Sequence, residues 1–152
     1  MTDSHTITPA KQRRFSRRWQ IAALLTILLL ATGCGESRPA RVTVSGHVLI
    51  DGQPLTVGNI KFVPDGARPS SGKLDAEGKF TLTCYDGGDG VVPGRHRAQI
   101  SAMEVISASK VRWMAPPKYA DFRTSELEFE INEPTDDLKI ELTWDGGKPF
   151  VQ

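Results

Sequence analysis

The chain has 152 residues, room for one domain, and its 39% hydrophobic and 24% charged residues are ordinary for a globular protein. Residues 1–33 carry five basic residues and one acid, which leaves a formal charge of −3 from Cys34 onward. That sign argues against nucleic acid as a partner, because phosphate binding needs a cationic surface.

In chain order, residues 11–20 are cationic and residues 21–31 are apolar apart from Thr26. Eleven residues of helix extend about 16 Å, short of the ~30 Å hydrocarbon core. The run therefore predicts a secretory signal helix over residues 1–33 and not a membrane span. Its last residues, Ala31-Thr32-Gly33-Cys34, resemble the bacterial lipobox, with Ala31 where Leu is commoner. The resemblance implies cleavage after Gly33 and lipidation of Cys34. An ordinary cleavage site beside an incidental cysteine is the alternative. Arg13-Arg14 and Arg17-Arg18 are also similar to twin-arginine export signals but depart from that pattern further along. Gly35, where some bacteria use Asp to retain a lipoprotein in the inner membrane, favours the outer membrane. Residues 34–40 read as a flexible polar tether.

Val42, Val44, Val48 and Ile50 then fall at every second position, as a strand with one buried face requires. Asp51-Gly52-Gln53-Pro54 predicts a turn, and Ile60 with Phe62 a second strand, together an opening hairpin. Residues 71–74 suggest a short edge strand, and Asp75-Ala76-Glu77-Gly78 a turn. Phe80, Leu82 and Cys84 share the inner face of the following strand. After the glycine-rich loop 86–93, Ala98, Ile100 and Ala102 form the next inner face. Residues 104–118 show no sustained period and predict a long excursion. Leu127, Phe129 and Ile131 alternate next, and Leu138, Ile140, Leu142 and Trp144 form the last inner face before the tail 146–152. Seven strands with no useful helical pattern predict an all-β domain over 41–145, a single antiparallel β-sandwich.

Val44-Ser45-Gly46 with Asp51-Gly52-Gln53-Pro54-Leu55, the turn and strand over 75–82, the return at 90–94, and Pro117-Lys118-Tyr119-Ala120-Asp121 carry a resemblance. Residues 42–144 resemble the bacterial carboxypeptidase regulatory-like, transthyretin-like domains found in small secreted lipoproteins. The resemblance implies a prealbumin-like, Greek-key sandwich that serves as an accessory or adhesion module, with no general catalytic set. One transthyretin-like type is a 5-hydroxyisourate hydrolase ending in Tyr-Arg-Gly-Ser; this chain ends Gly147-Lys148-Pro149-Phe150-Val151-Gln152. Pilin-like relatives with Lys–Asn isopeptide bonds need a lysine on the first strand, which is absent here.

His47 and His96 are the histidines of the mature region. His96 shares parity with Ala98 and Ile100 and is expected as a satisfied core imidazole, while His47 points outward. Zinc needs three or four convergent ligands, and no close-spaced pair announces them. Cys84, beside Phe80 and Leu82, is expected buried and inert, without a disulfide partner once Cys34 is lipidated. Asp86 and Asp89 lack the acidic spacing of a calcium loop, so a plain flexible turn is expected. Trp113, Tyr119 and Asp121 surround a long loop that either contacts a partner or plugs the end of the sandwich.

These readings predict a lipid-anchored, non-catalytic envelope module with no cofactor, contacting an envelope protein or glycan. The alternative is a small hydrolase or metal-dependent enzyme using His47, His96 or Cys84.

Overall fold

In the computed structural model residues 38–152 are described, so the signal run, Gly33 and Cys34 lie outside the described residues. Among the described residues eleven strands form: β1 (Val44–Ile50), β2 (Gln53–Pro54), β3 (Asn59–Pro64), β4 (Ser70–Lys73), β5 (Lys79–Thr81), β6 (Gly94–Ser101), β7 (Met103–Ser107), β8 (Lys110–Trp113), β9 (Glu128–Ile131), β10 (Thr135–Leu142) and β11 (Phe150–Val151). The one helical element is a 3-10 turn, Pro117–Ala120, and no described helix is long and apolar enough to cross a membrane.

The six alternations read from the sequence, and the short edge strand over 71–74, fall on strands β1, β3, β5, β6, β9 and β10, and on β4. Period-two burial is the cause: Val44, Val48, Ile60, Phe62, Phe80, Ile140 and Leu142 are at most 3% exposed, while their sequence neighbours are more open. One sheet runs β4-β3-β6-β9 and is antiparallel throughout. In the other, β1 pairs with β10 along one edge and with β5 and β2 along the opposite edge. Inward side chains of both sheets join a single hydrophobic cluster, and Pro39–Gln152 forms one compact unit.

Two expectations are corrected. β1 and β3 are not hairpin partners: β1 turns back on the two-residue β2, and β3 pairs with β4 and β6. Leu55 explains the change of sheet. It is buried, its amide donates to the Val48 carbonyl at 3.0 Å, and the chain beyond it enters the second sheet. The second correction is direction: β1 and β10 run parallel, with the register passing from Val44↔Thr135 to Gly46↔Leu138 through an irregularity. Alternation is the same in parallel and antiparallel strands, so it carries no sign of direction.

Four strands were not expected: β2, β11 and the hairpin β7–β8. The last three make a separate sheet, β11-β8-β7, from the stretch read as an excursion and from the tail.

Candidate functional site

An open groove of about 580 Å³ lies over β1, β5 and the start of β10. Its floor exists because position 46 is glycine: a Cβ there would stand 2.0 Å from the Leu138 carbonyl oxygen. Between Val44 and Gly46 the register slips by one residue on β10, and such bulges re-aim side chains. Here the bulge brings Asp137 to His47, with Nδ1 and Oδ1 3.3 Å apart, and lets the Ser45 hydroxyl donate to the Asp136 carbonyl at 3.3 Å. Lys73, Lys79 and Thr81 complete the polar wall. Asp75 also lines it, but its carboxylate accepts the Glu77 and Lys79 amides at 2.9 and 2.8 Å and shapes the turn before β5.

The groove suits a small polar group. Nucleophilic catalysis needs a hydroxyl or thiol bonded to the base, and Ser45 is given to a backbone carbonyl instead of to His47. Asp137, 85% exposed, meets His47 in water, where such a pair contributes little. The Asp136-Asp137 pair was missed in the sequence because only the register slip on β10 turns it toward β1.

The other flagged residues do not join this groove. His96 is buried, its Nε2 donating to the Val92 carbonyl at 2.8 Å and its Nδ1 without a partner, so the expected satisfied imidazole is half satisfied. Cys84 is a buried free thiol whose Sγ lies 3.7 Å from the Arg68 carbonyl. Of the three side chains the enzyme alternative invoked, His47 alone faces solvent. Among the described residues no three His, Cys, Asp or Glu side chains converge on a metal position.

Asp89 clamps its own loop. Its carboxylate accepts the Cys84 amide at 2.7 Å and the Tyr85 amide at 3.2 Å, and Arg41 Nε lies 2.8 Å from it. Burial pushes this carboxyl up, but those amides, that of Asp86 and the Arg41 charge outweigh it and leave it below its ordinary value. The turn is therefore held, in contrast to the flexible one expected. Asp86 supplies the carbonyl that the Asp89 amide donates to, at 2.9 Å.

Trp113, Tyr119 and Asp121 are separated by structure. Tyr119 is buried on the 3-10 turn, its hydroxyl receiving the Thr143 amide at 3.3 Å and facing the Thr143 carbonyl at 3.4 Å. It plugs the core and presents nothing to a partner. Asp121 is held by Arg123, whose guanidinium sits 2.7 Å away and keeps the carboxyl at about 2. Trp113 belongs to β8 and stacks on Phe150 across the β11-β8-β7 sheet, with centroids 6.5 Å apart.

That sheet holds what sequence reasoning passed over. Met103, Val105, Ile106, Phe150 and Val151, the large hydrophobic residues left exposed among those described, all lie on it. The signal was the alternation of Met103 and Val105 and of Val111 and Trp113, hidden by the adjacent Val105-Ile106. No protein family, curated protein or solved structure matches the chain.

Proposed function

We propose that this chain is a lipid-anchored, non-catalytic module of the bacterial cell envelope. In this reading β1, β3, β4, β5, β6, β9 and β10 make a transthyretin-like β-sandwich of the carboxypeptidase regulatory-like type. Lipid on Cys34 holds it at a membrane, outer in preference to inner, and a short polar tether links the lipid to β1. The sandwich then serves as a rigid platform for contact with envelope components.

The observation that carries the contact role is that three of the exposed large hydrophobics, Met103, Val105 and Phe150, share one face of the β11-β8-β7 sheet with Trp113 and Val111. Scattered exposed hydrophobics need no explanation, whereas a contiguous apolar patch marks an interaction site. The contact surface in this proposal is accordingly that sheet, with Trp113 at its base, in place of the loop around Tyr119 and Asp121.

Mass spectrometry of the protein purified from bacterial membranes tests the anchor. The expected mature chain begins at Cys34 and carries the mass of attached acyl chains, and Cys34→Ser moves the protein out of the membrane fraction. An unmodified Cys34, or a chain still beginning at Met1, removes the anchor from the proposal.

A further inference from the structure

The groove over β1 has walls of opposite charge. β5 lies along one edge of β1 and β10 along the other, so side chains rising from them stand two strand spacings apart, about 10 Å. On the β5 side Thr81 is opposite Ser45 and Lys79 is opposite His47, and Lys73 of the neighbouring β4 lines the groove with them. Asp136 and Asp137 stand on the β10 side. Lys139, level with His47 on β10, is turned onto Glu141 at 2.6 Å and leaves that side acidic. Asp75 is the acid of the β5 side; the two lysines outnumber it, and its Oδ1 accepts the Glu77 and Lys79 amides.

Backbone features fix both sides. The slip of β10 past Gly46 brings Asp137 to His47, and the Asp75 turn sets the start of β5, from which Lys79 rises. The heads of these side chains are not held by one another. Among the described residues Lys73 Nζ, Lys79 Nζ, the Thr81 hydroxyl and the Asp136 carboxylate make no hydrogen bond or ion pair, and the Asp137 carboxylate meets His47 alone.

A simple anion drawn to the lysines is repelled by Asp136 and Asp137 across β1, and a simple cation meets the converse. A molecule with one charge of each sign satisfies both sides, provided its charges are far enough apart. An α-amino acid carries both on one carbon and reaches one side only. An extended peptide of two or three residues separates its terminal ammonium and carboxylate by about 7–10 Å, the width between the walls. The groove, at about 580 Å³, is of a size that holds small ligands.

We propose that the groove binds a short zwitterionic peptide with free termini, its carboxylate on Lys73 and Lys79 and its ammonium on Asp136 and Asp137. His47 Nε2 and the Ser45 hydroxyl oxygen, on β1 between the walls, are left for its amide groups. The charged groups are open to solvent, which makes the binding weak, with a dissociation constant on the order of 1 mM. It needs neither lipid on Cys34 nor the β11-β8-β7 sheet.

Amide chemical shifts of the chain from Pro39 onward, which holds the whole core, test this in a titration with triglycine. The expected result is a saturable shift confined to β1, β5 and the start of β10. Lys79→Gln and Asp136→Asn are each expected to raise the dissociation constant about three- to fivefold, as the loss of one exposed ion pair allows. Lys61→Gln, on the outer face of β3, is expected to leave it unchanged, and unshifted resonances elsewhere show that the variants are folded. Triglycine blocked at both termini, acetate and methylammonium are expected to give no saturable shift there. Absence of saturation by triglycine up to about 50 mM overturns the proposal. So does equal binding of the blocked peptide, equal binding of acetate alone, or a dissociation constant that neither Lys79→Gln nor Asp136→Asn changes.

Discussion

At His96 a titratable ring sits inside the core, 5.7 Å from the Phe62 ring. A carbonyl can only accept, so Nε2 carries the proton donated to Val92 and Nδ1 is left a bare, neutral acceptor. Burial pushes this imidazole below its ordinary 6.5, against the Val92 carbonyl and the Glu130 carboxylate, which favour the charged form. The unfolded chain thus takes up a proton that the folded chain refuses. This contribution to stability is complete above the unfolded pKa of about 6.5 and is lost as pH falls toward the lower folded value. In urea melts between about pH 7 and pH 5, His96→Leu is expected to flatten that loss. An unchanged slope would assign the pH dependence elsewhere. The burial of His96 and Cys84 was legible in their parity with neighbours. The role of Tyr119 was not, because a loop aromatic reads the same whether it faces a partner or, as here, the Thr143 backbone.

Among the described elements β1 has the most partner strands, β10 along one edge and β2 and β5 along the other. At Gly46 the backbone of β10 lies close against it. A methyl group there meets the Leu138 oxygen at 2.0 Å and the Leu138 nitrogen at 2.8 Å, both backbone atoms that cannot swing aside. Gly46→Ala is expected to destabilise the domain by about 3 kcal/mol or more, the upper range of overpacking, read as a lower urea midpoint at unchanged slope. A cost below about 1 kcal/mol would mean that the two strands separate easily. The sequence marked β1 by its valines yet concealed why position 46 is glycine, since the close approach involves a strand some ninety residues away. The hairpin β7–β8 was hidden for a different reason. Its tip, Ala108-Ser109, holds no glycine, asparagine or proline, and the irregularity between Val105 and Ser107 interrupts the alternation.

For the molecule as a whole, one core serves both larger sheets, and Phe62 stands at its centre. It is fully buried and stacks on Phe129 with centroids 5.2 Å apart. Phe62→Ala is expected to cost about 3–5 kcal/mol, measured by urea unfolding of the chain from Pro39 onward. A loss under about 1 kcal/mol would show that the sheets do not share that core. The sequence by itself determined the all-β class, seven of the strands and, for six of them, the side that is buried. These follow from period-two alternation, which is local and acts wherever a strand covers an apolar interior. Only the tertiary structure decided that β1 and β10 run parallel, that Asp137 reaches His47, and that an apolar face on β7, β8 and β11 stands clear of the core. Each of these depends on register and direction between strands distant in the chain, and a pattern of alternating side chains is the same for every register that keeps its buried face inward.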